Sequence, residues 1–146
     1  MKYLNRYVTF FILVFCFSLV GQAQEMPYKD GTVWSVTFIK TKPGMSDDYL
    51  KSLAATWRKV NDAAKKEGLI LSYKILSGDA ANRDDWDLLL MVEHKNMASL
   101  DGLDEKYQAI SAKIEGSEEQ QKAIMSSRVD MREILGSKLL REIYLK

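Results

Sequence analysis

Apolar residues along the chain recur with two different periods, and the switches between them divide it into elements. Val33 to Thr41 reads VWSVTFIKT and alternates with period two, which predicts a strand with Trp34, Val36 and Phe38 on one face. Val33, Ser35, Thr37 and Ile39 take the other face. Lys42-Pro43-Gly44 ends the strand in a turn. The period then lengthens: Leu50, Leu53, Ala54, Trp57, Val60 and Ala64 fall at helical spacing. Ser46 is the expected N-cap, Asp47 and Asp48 suit the positive end of the helix dipole, and Gly68 is the expected C′ residue. A single long helix is predicted between them.

Leu69 to Ser77 is the second strand, and the polar stretch Gly78 to Asp85 is a loop. The third strand starts at Trp86 in WDLLLMVEHKN, with Trp86, Leu88, Leu90 and Val92 on one face and Asp87, Leu89, Met91 and Glu93 on the other. Apolar residues on both faces predict a strand interior to its sheet. Asn96 caps a second helix carrying Leu100, Leu103, Tyr107, Ile110 and Ile114. Gly116-Ser117 interrupts it, and a more polar helix follows that ends before Arg128. From Arg128 to Leu135 the pattern does not separate helix from strand. Gly136-Ser137 reads as a turn before a last strand, Lys138 to Lys146.

The order is β-α-β-β-α-(α)-β. Two right-handed β-α-β units sharing one antiparallel four-stranded sheet, with the helices on one face, satisfy that order economically. The predicted class is therefore α+β, ferredoxin-like, as a single domain over residues 32–146 with a polar lead-in at 24–31.

The amino terminus follows a different logic. Lys2 and Arg6 precede the apolar run Val8 to Val20, and Gly21-Gln22-Ala23 supplies small residues before a cut. This is the pattern of a Sec-type signal peptide over residues 1–23, cleaved to leave Gln24 first. The run is short for a membrane span, which needs about 20 residues. Export would place the mature chain in the periplasm or outside the cell, with no membrane attachment. Cys16 is the only cysteine and falls inside the removed segment, so thiol chemistry and cysteine-ligated metals are excluded from the mature form. Cleavage removes two of 21 basic residues and none of the 20 acidic ones, leaving a net charge of −1. That balance gives no reason to expect nucleic acid or an anionic membrane as partner.

Three short features carry a family resemblance: Lys42-Pro43-Gly44 before the first helix, the passage Val92-Glu93-His94-Lys95-Asn96 with Ala98 and Leu100 after it, and the closing Leu140-Arg141-Glu142-Ile143. In these the chain resembles the dimeric α/β-barrel superfamily, which includes antibiotic-biosynthesis-type monooxygenases, stress-responsive barrel domains and NIPSNAP-like proteins. The resemblance implies a homodimer in which the sheet faces left bare by the helices pack together and enclose a ligand. It also fits the pattern, since both faces of the predicted sheet are largely apolar and the second must be hidden.

His94 is the only histidine, and hence the one side chain with an ordinary pKa near neutrality. It is the candidate acid/base, although Glu93 should point to the opposite face and a packing role is the plainer alternative. Ser35, Thr37 and Tyr73 are the polar or aromatic strand positions expected to contact a ligand in the barrel, with Trp86 as a further wall. One histidine and no cysteine leave no evident metal site, and no cofactor motif is present. The expected function is binding of a small apolar or aromatic molecule. The alternative is a cofactor-independent enzyme, of monooxygenase, isomerase or cyclase type, using His94.

Overall fold

The computed structural model describes residues 25–146, and the signal segment expected at 1–23 lies outside them. Its strands are β1 (Tyr28–Thr41), β2 (Ser72–Ser77), β3 (Leu88–His94) and β4 (Arg132–Leu145), in the spatial order β2-β3-β1-β4. Helices α1 (Ser46–Ala55) and α2 (Trp57–Lys66) join β1 to β2. A 3₁₀ turn (Met97–Leu100), α3 (Leu103–Glu115) and α4 (Glu118–Met131) join β3 to β4. Every neighbouring pair is antiparallel, so β1 and β2 run parallel on either side of β3, as β3 and β4 do on either side of β1. The architecture is the expected ferredoxin-like α+β fold, and β3 is interior as its two apolar faces required.

The register of the two central strands sets which residues meet the helices. Val33 lies opposite His94, Ser35 opposite Val92, Thr37 opposite Leu90 and Ile39 opposite Leu88. Ile39 and Leu88 pack with Tyr49 and Leu53 of α1, and Val60 and Ala64 of α2 pack with Ile70 and with Ile110 of α3. These two clusters place the helix layer over the odd-numbered residues of β1. Trp34, Val36 and Phe38 point the other way, where Lys74 lies 4.2 Å from the Trp34 ring centroid and Lys138 5.7 Å from that of Phe38. The lysine stems lie over this apolar surface and help to shield it from water.

Several predicted boundaries are corrected. The long first helix is broken at Thr56, where φ is −130° and ψ −67°. The Thr56 hydroxyl donates to the Ser52 carbonyl at 3.1 Å, and Arg128 reaches the same carbonyl at 3.2 Å, so the break is filled by side-chain bonds. Ser46 is the first helical residue rather than an N-cap and makes no capping bond. Asn96 caps the 3₁₀ turn reciprocally with Ser99, and α3 begins only after Gly102 turns the chain at φ +64°. The polar helix does not end before Arg128 but runs to Met131.

Gly136-Ser137 is not a turn, because β4 passes straight through it. One extra residue, Leu135, is accommodated between Ile134 opposite Ile39 and Gly136 opposite Phe38, a β-bulge at which glycine is at home. β1 in turn starts at Tyr28, inside the stretch read as a lead-in, because β4 is long enough to pair Leu145 with Tyr28. β2 and β3 start at Ser72 and Leu88, each later than the alternation suggested.

Leu53 is 1% exposed in the first cluster and Leu50, one turn earlier, is 37% exposed. Leu53→Ala is expected to cost about 2–5 kcal/mol of unfolding free energy. Leu50→Ala should cost well under half of that, and urea denaturation of the two variants checks the helix face.

Candidate functional site

A cleft of about 340 Å³ opens between the sheet and the helix layer. Its floor is Ser35, Val92 and His94. Trp57, Val60 and Asn61 of α2 form one wall, Leu103, Asp104, Tyr107, Ser111 and Glu115 of α3 the other, and Arg128 of α4 closes it. The volume lies within the roughly 300–1,000 Å³ typical of small-molecule sites, and the lining mixes apolar walls with a few polar groups as such sites do.

His94 is 3% exposed at the end of β3, on the helix side. Its Nε2 is 2.9 Å from Ser35 Oγ, the diagonal neighbour on β1. Its Nδ1 is buried without a partner among the described residues, a condition that costs about 1–3 kcal/mol. Burial pushes the imidazole pKa below its ordinary value of 6.5, so the ring is neutral at physiological pH. Glu93 lies on the opposite face as expected, accepting from Thr32 at 2.9 Å and from Ser72.

Asn61 and Tyr107 form a second polar pair. The Asn61 side-chain amide donates to the Trp57 carbonyl at 2.8 Å, and its oxygen accepts from the Tyr107 hydroxyl at 3.1 Å. Burial pushes the Tyr107 phenol up to about 12, which keeps it a neutral donor. Arg128 is 6% exposed; its Nε donates to Ser52 Oγ at 3.0 Å and its Nη2 to the Ser52 carbonyl and to the Thr56 hydroxyl. Burial lowers the guanidinium pKa, while Tyr49 and Glu115 act in the other direction. The group remains a cation at neutral pH. Hydrogen bonds to a charged group contribute about 1.5–3 kcal/mol each, of the same order as the several kcal/mol that burying an ion costs.

The five residues expected to meet a ligand do not share one site. Ser35 and His94 come together in the cleft. Thr37 and Tyr73 lie on the same side of the sheet but outside its lining: Thr37 Oγ1 accepts from Ser137 at 3.2 Å, and the Tyr73 hydroxyl donates to Asp62 at 2.5 Å. The Tyr73 ring meets Trp57 edge-on at 5.2 Å and so supports a cleft wall. The face expected to line the barrel for Ser35, Thr37 and Tyr73 is thus the helix-covered one. Trp86 precedes β3 and does not follow its alternation; it packs edge-on against Phe38 at 6.3 Å and borders a separate groove with Leu135 and Lys138.

Asn61, Tyr107 and Arg128 were not singled out from the sequence. Asn61 had a visible signal, a polar residue on the apolar stripe of Trp57, Val60 and Ala64. Arg128 had none, because helix and strand could not be told apart over the stretch that begins with it. Among the described residues no cluster of His, Cys, Asp and Glu is arranged to hold a metal ion.

No family model matches the chain, and no curated protein matches it. Among solved structures it is similar to a dimeric protein of unknown function and ferredoxin-like fold from Bacteroides fragilis NCTC 9343, with 11% sequence identity and a TM-score of 0.42. The match covers 80% of this chain and 99% of the other. A likeness that remote bears on neither the site nor the assembly.

The single histidine makes the site directly observable. Its ring protons in the ¹H NMR spectrum should titrate below 6.5. With the folded pKa lowered, the unfolded chain binds the proton first as pH falls. The contribution to stability is therefore full above about pH 6.5 and is lost as pH falls toward the folded pKa. Urea midpoints should decline over that window in the native protein, and His94→Phe should remove that part of the decline.

Proposed function

We propose that the protein is an exported homodimer of the dimeric α/β-barrel type that binds a small apolar or aromatic molecule in the cleft between sheet and helices. Ser35 and His94 fix a polar group of the ligand, and Trp57, Val60 and Tyr107 supply its walls. The observation that carries this reading is the cleft itself, of a size suited to a small molecule, with the Ser35 hydroxyl and the His94 imidazole paired on its floor between apolar walls.

Dimerisation through the face turned away from the helices is supported by its apolar content. Leu76, Leu140 and Tyr144 are each more than 40% exposed there, beside Trp34 and Phe38. Export is supported by the pattern of Lys2, Arg6, the apolar run and Gly21-Gln22-Ala23.

The contact between Ser35 and His94 also favours a second reading, a cofactor-independent enzyme in which neutral His94 acts as acid/base. Binding is preferred because among the described residues no carboxylate holds Nδ1 to orient the ring. Ser35 also sits mid-strand, between two partners that occupy the backbone groups a nucleophile's oxyanion would need.

The test is calorimetric titration of the mature protein with 2-naphthol, before and after His94→Phe, with sedimentation of both proteins. Affinity should fall by about tenfold or more in the variant, as loss of a buried bond implies, while both sediment as dimers. Unchanged affinity would remove His94 from the site, and a native monomer at micromolar concentration would contradict the dimer.

A further inference from the structure

We infer that the ligand of this cleft carries a single anionic group, a carboxylate on its apolar or aromatic body, and that Arg128 binds it. The inference rests on the cleft being the ligand site. Arg128 is buried, yet no carboxylate oxygen of the described residues lies within salt-bridge distance of it. The ion pairs among those residues are all at the surface, Lys51–Asp48, Arg141–Asp30 and Lys146–Glu25. Its protein bonds use Nε and Nη2 only, to Ser52 and Thr56. Nη1 makes no bond to the described residues, on a side chain that lines the cleft.

A guanidinium is a fixed fork that pairs with a carboxylate through parallel N–H bonds, and an uncompensated buried one is costly. Arg132, four residues on, is also buried, 5.6 Å from the Tyr49 ring centroid, so past the exposed Asp130 the next buried charge along the chain is another cation. Two carboxylates do border the cleft. Asp104 is exposed at its rim, and Glu115 is half-buried and acts on Arg128 through space without bonding it. Their repulsion disfavours a dianion and leaves room for one carboxylate at the inner end. Neutral His94 adds no charge, so Arg128 is the one cation among the residues that line the cleft.

The experiment compares 2-naphthoate with its neutral near-isostere 2-naphthamide, titrated calorimetrically into the mature protein at neutral pH. The acid should bind about tenfold or more tighter than the amide, as a charge-assisted pair with a buried fork implies. Arg128→Gln should abolish that preference. Since Arg128 also braces the helices, Glu115→Gln provides a variant outside the brace: it should strengthen naphthoate binding severalfold and leave naphthamide binding unchanged. Equal affinities for acid and amide in the native protein and in Glu115→Gln would overturn the inference while leaving the cleft as a binding site. If neither compound bound, the cleft reading would fall and the inference with it.

Discussion

Arg128 leaves the last turn of α4 and bonds the Ser52 hydroxyl and carbonyl and the Thr56 hydroxyl, at the point where the first helical run breaks into α1 and α2. One buried cation therefore sets where three helices stand relative to one another. The break turns Trp57, Val60 and Asn61 toward the sheet as one wall of the cleft, and α3 provides the opposite wall with Tyr107 bonded across to Asn61. Without that brace the Ser52 carbonyl near the end of α1 would keep only the Thr56 hydroxyl as a side-chain donor, and the cleft would lose Arg128 from its lining.

Two buried polar arrangements meet the same space from different sides. From the sheet come Ser35 and His94, placed by the register of β1 against β3 and set on the helix face by the alternation of both strands. From the helices come Asn61, Tyr107 and Arg128. Each group has part of its bonding capacity met within the protein, while Nη1 of Arg128 makes no bond to the described residues. Polar groups that are satisfied everywhere except toward a cleft are what orient a ligand in an otherwise apolar site.

Much of the fold was legible in the sequence, because period two and period 3.6 are each imposed by burial of one face. The β-α-β-β-α-β order, the interior place of β3, the break at Gly116-Ser117 and the opposed directions of Glu93 and His94 all follow from that patterning. What was not legible depends on long-range pairing. The bulge at Leu135 and the early start of β1 at Tyr28 exist only because β4 lies alongside β1. The break at Thr56 depends on a side chain 72 residues away. His94 and Ser35 could be named from strand position, but alternation cannot say which face the helices cover, so the expected barrel lining became the floor of the helix-side cleft. Arg128 was out of reach for the same reason, since its stretch does not separate helix from strand and its burial is a property of the assembled helices.

The central claim is that ligand enters between the sheet and the helices rather than the space enclosed by two sheets. Methyl-labelled NMR spectra of the protein test it directly, because the two spaces are lined by different methyl groups. On addition of 2-naphthoate the resonances of Val60, Val92 and Leu103 should shift while those of Leu76, Leu89 and Leu140 stay in place. Shifts confined to Leu76, Leu89 and Leu140 would contradict the account and return the binding site to the opposite face.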